Sequence, residues 1–389
     1  MKVILGVDAI SQPLTGIGRY AYELAAGLRR RRAEGIDARF FAMARWIEDP
    51  ESLLDPMRPS AVLRRNIAHV PFSGVLRRLY QRASRYRFSR EVRKLQGFLY
   101  HSPNFYMVPF NGPTIATIHD LSVVHHPEFH PADRVAFMGR ELPAAVERSD
   151  HIVVVSDYVR QDLVETFGLA KERVSVTHLG VDARYTPRAE SELEELRAYG
   201  VTPGQYCLCV ATIEPRKNIG GLLAAFGSLP ASLQDRYPLV LIGDHGWKSE
   251  AIHRQIAELA ARGRCKYLGY VPEAQLPLFY SGARLFAYPS FSEGFGLPVL
   301  EAMASGVPVI TSNRSSLPEV AGGAALLVDP MAEEALRDGM EQLLEDEQAR
   351  GRAVEAGQNR AAAFTWPRFV EETLAVYRQV AADHGLAGQ

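Results

Sequence analysis

The chain has 389 residues, with 44 Lys and Arg against 45 Asp and Glu, and a net charge of −1 gives it no bulk attraction for nucleic acid. Its length exceeds one hydrophobic core, and 47% apolar with 23% charged residues is ordinary for a globular protein, so two domains are expected. Three cysteines cannot make an even disulfide framework, and no apolar run approaches the roughly 20 residues that a membrane span needs.

The first expected strand is Val3 to Val7 in MKVILGVDAI. One Lys and a short apolar run before Asp8 fall short of a signal-peptide core, so a cytoplasmic location is expected. The turn TGIGRY (15–20) follows, where Gly16 and Gly18 permit a tight bend, and an amphipathic helix is expected from about Arg19 to Arg30. Residues 58–94 hold ten Arg and one Lys against a single acid, Glu91, a local charge of +10 that leaves −11 for the rest. Arg77, Arg78, Arg82 and Arg85 are interleaved there with Val, Leu, Tyr and Phe. Such a stretch suits an anionic membrane surface or a lipid acceptor; a solvated face and nucleic acid are the alternatives.

FLYHS (98–102) and TIATIH (114–119) read as strands, which puts His119 at the carboxyl end of one. His125, His126 and His130 sit in a Pro-containing loop with no Cys, a poor metal set, and no metal is expected. A helix over about 132–147, the strand HIVVVS (151–156), a helix to about Phe167 and the strand RVSVTHLG complete the first half. Alternating short β-runs and amphipathic helices imply parallel sheets with helices on both faces. Pro187, Pro203, Gly200, Gly204 and four glutamates between 190 and 195 mark a linker. The alternation then resumes with six candidate strands: YCLCVAT, PLVLIG, CKYLGY, RLFAYPS, VPVITS and ALLVDP. Cys207 and Cys209 share one face of the first of these, as buried thiols would. The expected division is a first Rossmann-like domain over 1–185, a linker over 186–203, a second Rossmann-like domain over 204–365, and a final helical segment over 366–389.

Open α/β sheets bind ligands beyond the carboxyl ends of their strands, so chemistry is expected in loops of both halves facing a cleft. The strongest such loop is PSFSEGFGLPVLEAMASGVPVI (289–310). Gly294 and Gly296 let backbone approach a ligand, and the helix start at Leu297 offers unpaired N–H groups to a phosphate. Glu293 and Glu301 form Glu-x7-Glu, and a carboxylate can accept from two vicinal hydroxyls. In ATIEPRKNIGGLLAAF (211–226), Arg216 and Lys217 follow a strand and precede a helix, as a diphosphate site would require. An ordinary helix cap and a solvated basic turn are the plain alternatives for these two segments.

EPRKN (214–218) and SEGFGLPVLEAMASGVPVI (292–310), with TGIGRY, TIHDLS, VVVSDYVRQDL (153–163) and HLGVD (178–182) in order, resemble retaining glycosyltransferase family 4 over nearly the whole chain. The resemblance implies an α/β fold of GT-B type. Two Rossmann-like domains would face a central cleft, and a C-terminal helix would cross back onto the first. It implies that Arg216 and Lys217 hold the donor diphosphate and that Glu301 binds the ribose. Glu293 with the backbone of Gly294, Phe295, Gly296 and Leu297 would bind the donor sugar and phosphate. Gly16 and Gly18 would shape the loop near the diphosphate, and the loop around Tyr270 and Val271 would receive the base. His119 would lie near the reacting centre, so that His119, Glu293, Arg216 and Lys217 are the catalytic candidates. The first-turn motif here is Gly-Ile-Gly rather than two adjacent glycines. TGIGRY with TIHDLS resembles the mannosyl- and rhamnosyltransferase branch, which implies a GDP-sugar donor and no cofactor. The +10 segment adds a lipid-linked or polysaccharide acceptor at the inner membrane. A transferase for a soluble acceptor would leave that segment without a purpose. A silent binding partner would be expected to lack one of the two charged sets, and both are intact.

Overall fold

The computed structural model describes residues 1–12, 14–42, 45–55, 86–92 and 95–386. The strands of the first half are β1 (Lys2–Gly6), β2 (Asp37–Ala42), β3 (Arg45–Ile47), β4 (Phe98–Ser102), β5 (Thr114–Ile118), β6 (His151–Val154) and β7 (Val174–Val176). They form one sheet in the order β3-β2-β1-β4-β5-β6-β7, parallel throughout except that β3 runs against β2. Strands β8 (Cys207–Val210), β9 (Leu239–Ile242), β10 (Cys265–Gly269), β11 (Leu285–Tyr288), β12 (Val309–Ser312) and β13 (Leu326–Val328) form a second, all-parallel sheet in the order β10-β9-β8-β11-β12-β13. These are the six runs expected from the sequence. β4, β5, β6, β9, β11 and β12 are buried along their whole length, as helices on both faces require.

The sequence reading passes over β2 and β3. β2 opens with Asp-Ala-Arg, whose side chains are largely solvated, so only Phe40, Phe41 and Ala42 carry an apolar signal. The strand expected over RVSVTHLG contracts to β7, because the chain leaves the sheet at Thr177 toward the second half.

The Gly-Ile-Gly segment differs from its expected conformation. It is the first turn of the helix Gly16–Arg30, not a bend before it. Thr15 is the reason: its side chain caps that helix, accepting from Gly18 N at 3.1 Å. A Cβ at Gly18 would lie 3.0 Å from Ala9 O, whereas one at Gly16 would meet nothing within 4 Å. A side chain at Gly18 would therefore crowd Ala9, and one at Gly16 would not.

The last helix, Trp366–Asp383, leaves the second half and lies on the first. A Cβ on Gly27 would come 2.5 Å from Val370 Cγ2, so glycine sets how closely the two helices approach. Phe369 meets the Tyr20 ring edge-on at 4.8 Å between centroids, and Tyr377 OH lies 2.6 Å from His101 Nδ1. Arg77, Arg78, Arg82 and Arg85, the arginines expected at a membrane or acceptor, lie outside the described residues. Residues 86–92 are helical and anchor on the first sheet through Phe88, which packs on Phe41 and Tyr100.

Candidate active site

Each sheet reverses its strand order once, between β1 and β4 in the first and between β8 and β11 in the second. The crevice at such a reversal is where open α/β sheets take ligands. The loops after β8 and β11 flank the second reversal, and they carry Arg216, Lys217 and Glu293. The sequence separates these groups by more than seventy positions; the topology brings them together.

After β8 the chain forms a single turn, Pro215–Lys217, before the helix Ile219–Gly227. Lys217 Nζ donates to Glu293 Oε1 at 2.6 Å and to Tyr288 OH at 2.8 Å. Arg216 Nη1 donates to Glu293 Oε2 at 3.0 Å and to Ser292 O at 2.6 Å, while its Nε donates to Glu214 Oε1 at 3.1 Å. Glu293 Oε1 further accepts from Tyr288 OH at 2.9 Å and Ser290 Oγ at 2.7 Å. Oε1 is thus saturated by three donors, and Oε2 keeps room for one more. Burial alone would push the Glu293 carboxyl up, but Arg216 and Lys217 together hold it down at about 2. Burial and the neighbouring Arg216 push Lys217 below its ordinary value, against the opposing pull of Glu293.

The helix Leu297–Ala304 begins where expected. Gly296 caps it at φ +112°, and a side chain there would also strike Leu317 Cδ2 at 2.7 Å. Ser316 Oγ lies 2.9 Å from Glu293 O and 2.8 Å from Phe295 O, its one proton shared between them, and Ser315 Oγ accepts from Glu293 N at 2.9 Å, so the loop after β12 cradles residues 293–295. On that helix, Glu301 accepts from Tyr280 OH at 2.8 Å, and burial raises its carboxyl. Val271 is buried and Tyr270 half exposed, so the candidate base loop presents Tyr270 outward.

His119 ends β5. Its Nε2 donates to Pro103 O at 2.9 Å, since a carbonyl can only accept, and its ring meets Tyr20 edge-on at 4.9 Å. Burial lowers its pKa, so the imidazole is neutral with a bare Nδ1. His125, His126 and His130 go to three different partners: Asp162, Glu128 and Ser122.

The two halves close on one another over this site. Ser156 Oγ donates to Gly294 O at 2.7 Å, and Trp247 Nε1 donates to Phe129 O at 2.7 Å. Phe129 stacks on Phe291 at 5.5 Å. Glu319 accepts from the backbone of Asp157 and Tyr158 and from His178 Nε2. Arg19 pairs across the cleft with Glu273, which also holds Arg184. Gly294 is the tightest point, because a Cβ there would sit 1.9 Å from His119 O. Gly294→Ala should therefore wedge the halves apart while leaving each sheet intact. The expected result is a loss of about 100-fold in turnover with an unchanged circular dichroism spectrum, the scale that a misplacement near 1 Å produces.

Tyr288, Ser290, Glu214 and Asp120 belong to this cluster and are absent from the sequence reading. Tyr288 and Ser290 carried an available signal: Tyr288 closes β11 and Ser290 lies two residues beyond it, five and three residues before Glu293. The Ser315 and Ser316 contacts carried none, since they depend on how the loops after β11 and β12 pack together, and the Glu319 contacts depend on how the halves meet.

Residues 14–185 match the family described as Glycosyltransferase Family 4, and residues 197–360 match Glycosyl transferases group 1. The chain is 37% identical over 380 residues to O-antigen chain mannosyltransferase B of Escherichia coli, covering 97% of this chain and 100% of that relative. Among solved structures, sucrose-phosphate synthase from Thermosynechococcus elongatus superposes with a TM-score of 0.74 at 21% identity over 98% of this chain and 100% of its own. WaaG, a glycosyltransferase involved in lipopolysaccharide biosynthesis, superposes with a TM-score of 0.70 at 16% identity over 97% of this chain and 99% of its own. Both structures show the same two-domain GT-B fold.

Proposed function

The chain belongs to the family 4, group 1 glycosyltransferases, and from that membership we infer that it transfers mannose from GDP-mannose, with retention, to a lipid-linked O-antigen-type polysaccharide. The observation that carries this reading is the end-to-end likeness to an O-antigen chain mannosyltransferase, which spans both halves and the cleft between them. The GDP donor rests on the TGIGRY and TIHDLS resemblance, and the lipid-linked acceptor on the +10 segment. Among the described residues no helix is long and apolar enough to cross a membrane. Residues 58–94, with Arg77, Arg78, Arg82 and Arg85, would supply peripheral contact with the cytoplasmic face.

In this reading the bond between the anomeric carbon and the diphosphate breaks, and negative charge grows on the leaving phosphate. Lys217 has a third N–H beyond its two bonds, and the helix start at Leu297 adds backbone donors; both would meet that charge. The acceptor hydroxyl attacks from the side the phosphate leaves, and its proton passes to the leaving oxygen. Glu293 would serve as a sugar-binding group through Oε2. Glu301 would take the ribose, and Tyr270 with Val271 the base.

Thermal unfolding with GDP, UDP, ADP or dTDP tests the donor. A nucleotide at about 100 times its Kd adds roughly 2.7 kcal/mol of stability. A rise in Tm with GDP alone is expected, and it should vanish in Lys217→Ala. A rise with UDP alone would discard the GDP assignment, and no rise with any of the four would remove nucleotide-sugar binding from the account.

A further inference from the structure

Asp120, the residue after His119, takes no part in the hydrogen bonds among Arg216, Lys217 and Glu293. Its Oδ1 accepts from Ser122 N at 2.9 Å and from Ser122 Oγ at 2.7 Å. The single hydroxyl proton of Ser122 is committed to Asp120. His130 Nε2, 3.1 Å from Ser122 Oγ, must therefore donate to it. This fixes the His130 tautomer and leaves Nδ1 with a bare lone pair. That atom is buried without a partner among the described residues, on a side chain only 3% exposed. Burial, with Arg134 and Arg216 nearby, pushes His130 down to about 4, so the ring stays neutral and the relay keeps one direction.

The outcome is a carboxylate fixed on one oxygen by two donors, with a third donor behind them. Among the described residues its Oδ2 accepts no hydrogen bond. Arg216, with the Ser122 donors, outweighs burial and keeps Asp120 ionised. Its place is equally definite: a Cβ on Gly294 would lie 3.2 Å from Asp120 Cβ. The carboxylate therefore adjoins the loop Glu293–Gly296, within the electrostatic reach of Arg216. A phosphate would be repelled by it. A hydroxyl is the group that an ionised, half-satisfied carboxylate takes.

We propose that Asp120 contacts the donor hexose, its Oδ2 accepting a hydrogen bond from a ring hydroxyl, with Ser122 and His130 as positioning residues that aim it. The proposal rests on the nucleotide-sugar reading of the cleft. Calorimetric titration with GDP and with GDP-mannose tests both while keeping them apart. Asp120→Asn preserves the acceptor for Ser122 N but removes the charge. It should bind GDP within about twofold of the unaltered protein and GDP-mannose about 10-fold or more weakly, the range of one hydrogen bond to a charged group. Ser122→Ala should show a smaller loss of the same kind, about threefold, restored in Ser122→Thr. The proposal falls if Asp120→Asn binds GDP-mannose as the unaltered protein does. It falls equally if both ligands weaken together, since Asp120 would then act only through the fold. Should the unaltered protein bind neither ligand, the nucleotide-sugar reading itself fails and takes this contact with it.

Discussion

Lys217→Ala should slow glycosyl transfer by about 100- to 1,000-fold, or about 2.7–4 kcal/mol of transition-state stabilisation, the usual cost of removing one preorganised donor from a developing anion. The loss should fall on kcat more than on KM, because the charge on the leaving phosphate exists fully only as the bond breaks. The structure holds Lys217 ready for the proposed role. Tyr288 and Glu293 fix its ammonium at 2.8 and 2.6 Å, so little reorganisation remains when the phosphate arrives. Lys217→Arg is not a conservative control, since a planar fork cannot reproduce those two contacts. Steady-state kinetics on both variants, with unfolding monitored in parallel, measures the effect.

Glu293→Gln should cost stability as well as activity. The substitution leaves Arg216 and Lys217, at 14% and 12% side-chain exposure, without their shared counter-charge. Breaking a buried pair on one side typically destabilises by about 3–5 kcal/mol, and Glu214, which pairs with Arg216 at 2.9 Å, keeps the expectation at the lower end. The pH dependence has a definite sign. The folded carboxyl titrates at about 2 against an ordinary 4.5, so its contribution is complete above about 4.5 and drains away as pH falls toward 2. Urea unfolding at pH 7 and at pH 3 should accordingly show a smaller gap between Glu293→Gln and the unaltered protein at the lower pH. A gap independent of pH would mean that packing, not charge, is what the glutamate supplies. The same hydrogen bonds bear on mechanism. A carboxylate with three donors on one oxygen and Arg216 on the other is stabilised as an anion and is a weak nucleophile. A glycosyl group trapped on Glu293 would overturn the proposed front-side displacement.

The sequence made the chemistry legible where a residue type and its neighbours in the chain sufficed. Glu-x7-Glu, the Arg–Lys pair before a helix, and glycines at a helix start each state a local need. The six strands of the second half were legible as well, because burial on both faces leaves unbroken apolar runs. Asp120 was not legible as a functional group. It stands beside a histidine already singled out, and its relay runs through Ser122 to a histidine ten residues on. Gly16 misled for the opposite reason: a glycine pair suggests a turn, yet Thr15 caps a helix that already begins at Gly16, three residues before the expected Arg19. The contacts that close the cleft were beyond reach. Gly294 against His119 O, and Glu319 on the amides of Asp157 and Tyr158, join residues more than 150 positions apart and follow only from how two sheets meet.

The most direct test is transfer itself: the purified protein incubated with GDP-mannose and a mannose-terminated lipid acceptor, with the product's mass and anomeric configuration determined by mass spectrometry and NMR. The expected product carries added mannose in the configuration it had in the donor, and Lys217→Ala abolishes most of it. An inverted linkage would contradict the proposed front-side displacement at the anomeric carbon. An unmodified acceptor, with another nucleotide sugar consumed in place of GDP-mannose, would contradict the donor assignment.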